Sequence, residues 1–146
     1  MDATRILEAD HQKIRGLFEL IREAGDAEEK RTLFREIKDE IELHTGIEEE
    51  VFYPVFSKMP NFHEIVRHSL DEHHELRDIL EDIDEAEDLD EVLDQIELLR
   101  ETFEQHVTDE EKEFFPMVRK TCNDSQLGEL ALKLELAKNR RQLMAA

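Results

Sequence analysis

His44-Thr45-Gly46-Ile47-Glu48-Glu49-Glu50-Val51-Phe52-Tyr53-Pro54 returns 62 residues later as His106-Val107-Thr108-Asp109-Glu110-Glu111-Lys112-Glu113-Phe114-Phe115-Pro116. A histidine, an acid four residues on, a second acid, an aromatic pair and a proline all keep their places. The same shift carries the flanks without a gap. His11-Gln12-Lys13-Ile14-Arg15 falls on His73-His74-Glu75-Leu76-Arg77, and Phe34, Ile37 and Ile41 fall on Ile96, Leu99 and Phe103. Lys58 and Asn61 land on Lys120 and Asn123. Two copies are too few for a solenoid. They suit a helical hairpin made twice, each hairpin covering the apolar face of the other.

Boundary signals agree with helices. The first is expected from about Thr4 to Ala24, with Gly25 as its stop, and the second from about Glu28 into the fifties. Asn61 with Glu64 reads as a capping box opening the third, which ends near Ala86; Asp88 with Glu91 opens the fourth. Ser125 is expected to cap a fifth helix to about Leu143, carrying Leu127, Leu130, Leu134 and Leu136. Pro54 and Pro116 should each kink or end their helices, since proline removes a backbone donor and crowds the preceding turn. The expected fold class is all-α: an antiparallel up-down four-helix bundle from two duplicated hairpins, plus a short C-terminal helix. The bundle takes residues 1–124, with repeats at about 4–60 and 66–122, and 125–146 extend the same domain.

Steps of three and four residues define one inward stripe per helix. They are Leu7, His11, Ile14, Phe18, Ile21; Phe34, Ile37, Ile41, His44, Glu48, Val51, Val55; Val66, Leu70, His73, Leu76, Leu80, Ile83; and Ile96, Leu99, Phe103, His106, Glu110, Met117. Every stripe holds a histidine, and two hold a glutamate one turn later. Hairpin heights bring His11 level with His44, and the repeat does the same for His73 and His106. A carboxylate in an apolar interior must pair or protonate. A metal pair on His11, His44, Glu48, His73, His106 and Glu110 answers that need, and imidazole with carboxylate suits iron, manganese or zinc.

Other polar residues read more plainly. His74 projects about 100° from His73 and is expected at the surface, with an alternative as a ligand. His63 and His68 occupy no repeated position and are expected in solvent. Glu49, Glu50 and Glu111 read as a solvated face. Phe18, Phe52, Tyr53, Phe114 and Phe115 read as core and site lining, and only Tyr53 has a hydroxyl that could reach the site.

Bulk composition sets limits. Of 146 residues, 39 are Asp or Glu against 19 Lys or Arg, a net charge of -20 that disfavours nucleic acid and anionic membrane surfaces as partners. Charged residues are 40%, Gly and Pro are scarce and Trp is absent, a long-helix composition. Cys122 is the one cysteine, so neither an internal disulfide nor a cysteine-based zinc site can form, and a free thiol suits a reducing compartment. No apolar run reaches 18 residues and the first twenty carry Asp2, Arg5, Glu8, Asp10 and Lys13, so a cytoplasmic protein is expected.

The ordered set His11, His44-x-x-x-Glu48, His73, His106-x-x-x-Glu110, with an aromatic and proline after each acid pair, resembles the hemerythrin-like HHE cation-binding family over about residues 4–121. The resemblance implies two Fe ions in an up-down bundle. His11 and His44 would serve one, His73 and His106 the other, with Glu48 and Glu110 bridging alongside an oxo or hydroxo group. Oxygen-carrying members place two histidines four apart on the third helix. Here those positions are Ser69 and Arg77, so the fifth histidine is missing unless His74 or His68 replaces it through a helix distortion. The fourth-helix acid also differs, being Glu110 where carriers have Asp one residue further on. Fewer protein ligands imply open positions for a small ligand: O2, NO or peroxide. The expected function is therefore sensing of oxygen, NO or iron, or oxidative-stress handling. A redox enzyme with weak catalase- or peroxidase-like or NO-linked turnover is the alternative, and a metal-free interaction bundle the third.

Overall fold

The computed structural model describes residues 2–145, and among them there is no strand. Helices α1 (Ala3–Glu23) and α2 (Ala27–Ile47) form the first hairpin; α4 (His63–Glu85) and α5 (Leu89–Asp109) form the second. A short α3 (Tyr53–Ser57) follows α2, a matching α6 (Phe115–Thr121) follows α5, and α7 (Asp124–Ala145) closes the chain. The fold is the expected all-α bundle with an added C-terminal helix.

The helix starts follow local chemistry. Asp2 accepts from the Thr4 N–H at 2.7 Å, and Asp26 accepts from the Glu29 N–H at 2.8 Å, each pairing a donor that the first turn leaves open. Asp88 caps α5 through Asp90 rather than Glu91. The Asn61–Glu64 box does not form. Pro60–Phe62 make a 3₁₀ turn, and fully buried Phe62 leads into α4 with no side-chain cap, held by packing on Phe56 and Phe114. Asn123 and Gln126, not Ser125, form the reciprocal box at the start of α7. Gly25 keeps a negative φ, so α1 ends through extended Ala24 and not a left-handed glycine.

Both prolines act one turn earlier than a simple kink. Proline cannot donate to the carbonyl four residues back. Ahead of each, the ladder widens into a π-helical turn, Glu48–Phe52 and Glu110–Phe114, with the Tyr53 N–H bonded to the Glu48 carbonyl and the Phe115 N–H to that of Glu110. Residues five apart on an α-helix point about 140° away from each other. The wider turn closes that gap, so Glu48 and Tyr53, like Glu110 and Phe115, are buried on one side.

The core is two apolar clusters with a polar layer between them. At the hairpin-turn end Ile14, Phe18, Ile37, Leu76, Leu80, Leu99 and Phe103 pack together. At the other end Leu7, Ile47, Phe52, Phe56, Phe62, Phe114 and Phe115 form an aromatic plug. Each such phenylalanine contributes about 1.5–3 kcal/mol on burial. Val55 and Leu70, expected inside, are exposed; the π turn rotates Val55 outward. Helix α7 lies on α1, α2 and the first π turn through Leu127, Leu130, Ala131, Leu134 and Ala137. Leu136 sits two residues off that stripe and faces out. At Gly46 a Cβ would meet the Arg141 guanidinium, so glycine leaves room for that side chain of α7 beside α2.

Candidate metal centre

The polar layer is built by one histidine from each of the four hairpin helices and one glutamate from each π turn. His11, His44, Glu48, His73, His106 and Glu110 are all 0–1% exposed. Their inward atoms converge. Glu110 Oε1 lies 3.0 Å from His11 Nε2 and 3.1 Å from His106 Nε2. Glu48 Oε1 lies 3.0 Å from His73 Nε2, 3.2 Å from His44 Nε2 and 3.4 Å from His106 Nε2. Ring centroids are 4.8 Å apart within the His11–His44 pair and within the His73–His106 pair, against 6.2 and 6.3 Å from His106 to His11 and to His44. The rings therefore group as two pairs, with each glutamate reaching a histidine of the opposite hairpin.

Each outer ring nitrogen has its own acid. His11 Nδ1 meets Glu111 at 2.7 Å, His73 Nδ1 meets Glu49 at 2.7 Å, His44 Nδ1 meets Asp10 at 3.0 Å and His106 Nδ1 meets Glu72 at 3.1 Å. A carboxylate there keeps the proton on Nδ1 and turns the Nε2 lone pair inward, the arrangement that orients ligand histidines. Glu49 and Glu111 are thus not a solvated face. The signal was in the repeat, which sets Asp10 on Glu72 and Glu49 on Glu111, acid on acid. Glu50 does face outward and pairs with Arg140 and Arg141.

Two lone pairs facing each other need a proton or a cation between them. Among the described residues, buried His44 Nε2, His106 Nε2 and Glu48 Oε2 make no aligned hydrogen bond, although carboxylate oxygens stand 3.1–3.4 Å from the two nitrogens, a debt that a metal would settle. Without metal, protons fill the gap. Burial pushes the His44 and His106 rings down, but the charges of Glu48 and Glu110 and the flanking carboxylates outweigh it and raise both well above their ordinary value. Burial lifts the Glu110 carboxyl, yet His106 and the bonds it receives hold it well below its ordinary value. Two groups of buried ligand atoms have the spacing to hold an ion: His11, His44, His106 and Glu110, and Glu48, His73 and His106.

The hemerythrin HHE cation-binding domain matches residues 2–118. The chain belongs to that family. A crystal structure of an HHE cation-binding domain-containing protein from Mycobacterium kansasii superposes with a TM-score of 0.82 at 25% identity, covering 96% of this chain and 86% of that one. A comparison with curated proteins gave no match.

Within this HHE domain the two halves differ where it matters. Tyr53 and Phe115 are repeat equivalents. Phe115 stacks on His11 at 6.0 Å, while the Tyr53 hydroxyl donates to Glu110 Oε2 at 2.7 Å and lies 3.1 Å from His73 Nε2. Burial, then the charges of Glu110 and Glu48, push its pKa well up, so it stays a donor. Asp10 also takes a bond from Lys138 of α7. His74 and His68 are exposed, and neither joins the centre. Ser69 is buried on the His73 side, and Arg77 turns outward to Glu49. Among the described residues, no fifth imidazole joins the four. No helix among the described residues is long and apolar enough to cross a membrane.

Proposed function

We propose that this HHE domain holds a carboxylate-bridged pair of iron ions on His11, His44, Glu48, His73, His106 and Glu110, and that the pair binds O2, NO or peroxide in sensing or oxidative-stress handling. The observation that carries the reading is the buried set of Nε2 and carboxylate atoms left without aligned partners, His44 Nε2, His106 Nε2 and Glu48 Oε2, facing one another across the bundle. When bound, an iron pair supplies redox chemistry and open positions for a small ligand. The chain does the rest. The four outer acids fix the ring tautomers, Glu48 and Glu110 tie the two hairpins together, and the aromatic plug excludes bulk water. Near-complete burial favours a ligand of two to four atoms over an organic substrate. Manganese or zinc would fit the same donors.

Redox turnover of the catalase or peroxidase kind is the second reading, and Tyr53 favours it: a hydroxyl that keeps its proton stands within the cluster, where it could donate a hydrogen bond to a small bound ligand. Metal analysis with an optical spectrum tests the main reading. Two equivalents of iron and the near-ultraviolet bands of a coupled di-ferric pair are expected, with Glu110→Ala losing the pair and His44→Ala weakening one ion. Chelation should also lower the melting temperature, since only the folded chain assembles the site. Full metal content in all four single His→Ala variants would end the proposal. Peroxide disproportionation by loaded protein would select the enzyme; a stable spectral complex without turnover would select binding.

A further inference from the structure

Beside the centre, α4 and α5 bring one more histidine and two carboxylates together. His68 Nε2 lies 3.0 Å from Asp109 Oδ2 and 3.4 Å from Glu72 Oε2. One ligand atom from each of these residues lies within 4.8 Å of the others. Asp109 Oδ1 accepts from Gln105 at 3.0 Å. Glu72 is 6% exposed, and it divides its two oxygens. Oε1 meets His106 Nδ1, whereas Oε2 points out toward His68 and Asp109 and has no hydrogen-bond partner.

The repeat shows what this place looks like when it is satisfied. His68, Glu72 and Asp109 correspond to Ile6, Asp10 and Ile47. There the outer acid of His44 takes its second bond from the Lys138 ammonium, on an apolar seat of buried Ile6 and Ile47 beneath α7. In the second half α7 is absent, and among the described residues no lysine or arginine pairs with Glu72 or Asp109. An imidazole and a carboxylate stand where the isoleucines stood. A buried carboxylate oxygen facing a second carboxylate needs a proton or a positive partner, and His68 sits closer to Asp109 than to Glu72.

We propose that His68, Glu72 and Asp109 form a third, single-ion site for a divalent first-row transition cation, whose charge stands where the Lys138 ammonium stands in the other half. One imidazole with two carboxylates selects Mn2+, Fe2+ or Zn2+ over Mg2+ and Ca2+, which prefer oxygen alone. Three protein donors, with His68 60% exposed, leave positions for water, so the ion exchanges freely with solvent. Glu72 links such an ion, on Oε2, to the outer nitrogen of His106, on Oε1. The ion draws charge from the acid that holds that ring, and so loosens the grip on the Nδ1 proton.

The test uses the whole chain, loaded with iron to its plateau, dialysed, and titrated with Mn2+ under electron paramagnetic resonance of the free aquo ion. One further equivalent should bind, be displaced by Zn2+ and resist a large excess of Mg2+. His68→Ala and Asp109→Asn should each weaken it at least about tenfold with iron content and melting temperature unchanged. Glu72 is left alone because it also holds His106. Should the centre take no iron, Mn2+ titration of the metal-free chain still reads the outer site, because its loss follows His68→Ala and not His44→Ala. No Mn2+ beyond the central content, or the same Mn2+ binding in both variants, overturns the site and leaves a proton shared between Glu72 and Asp109.

Discussion

Tyr53→Phe removes one oxygen from the polar layer and nothing else, because Phe is what the repeat itself carries at the equivalent position, Phe115. The hydroxyl is lost from a side chain 2% exposed, so water cannot replace it. It gives one proton, at 2.7 Å, to the buried carboxylate of Glu110. A hydrogen bond to a charged group is worth about 1.5–3 kcal/mol, and the change leaves Glu110 Oε2 unpaired rather than re-solvated. The contact with His73 adds no second proton and is not counted again. In metal-free protein the expected loss is therefore about 1.5–3 kcal/mol, a fall of roughly 3–12 °C in melting temperature for a chain of this length. Circular dichroism melts of chelated wild type and variant read it directly. On the proposed function, iron loading should still reach two equivalents, since the six proposed ligands are untouched. A shift below about 1 °C in chelated protein, or iron content cut in half, would show that Tyr53 is not a donor to Glu110 in the way described.

Lys138→Met strips Asp10 of its second partner while His44 still holds the first. The ammonium is a quarter exposed, which discounts a charged hydrogen bond to about 1 kcal/mol; urea unfolding of chelated protein should show that loss, and unchanged stability would mark the contact as idle. Stability of the metal-free chain should fall on both sides of mildly acidic pH. Burial pushes the Glu49 carboxyl up, but bonds from His73 and Arg77 outweigh it and hold it at about 2. That group stabilises the fold above its ordinary value of 4.5 and loses its contribution as pH drops toward 2. The raised His44 and His106 contribute fully below 6.5 and lose it as pH climbs through their raised values. Urea titrations across pH 3–9 that rose steadily to the alkaline end would contradict this account.

The bundle was legible because periodicity and duplication agreed: a stripe every three or four residues, written twice. Six buried polar side chains on those stripes pointed to one layer, and the structure brings all six together. What stayed hidden depended on geometry that a uniform α-helix lacks. Tyr53 reaches Glu110 because the π turn re-aims it, and Val55 leaves the core for the same reason. Glu49 and Glu111 looked solvated when judged by helix angle alone, yet their carboxylates reach across to the outer nitrogens of His73 and His11. Gly25 and Asn61 carried the usual stop and cap chemistry, but Ala24 and packing around Phe62 did that work. Helix α7 lies outside the repeat, so nothing in the duplicated pattern said which half it would cover.

Each glutamate of the central layer meets a histidine of the opposite hairpin, His11 with Glu110 and His73 with Glu48. Neither hairpin alone owns a closed set of these contacts. A chain of half this length, carrying one copy, would complete the same layer only by pairing with its own twin across a dyad. Fusion of two such copies turns that encounter into an intramolecular one, free of concentration, and releases each copy to drift. The two halves already differ in this way, with Tyr53 set against Phe115 and His68 against Ile6.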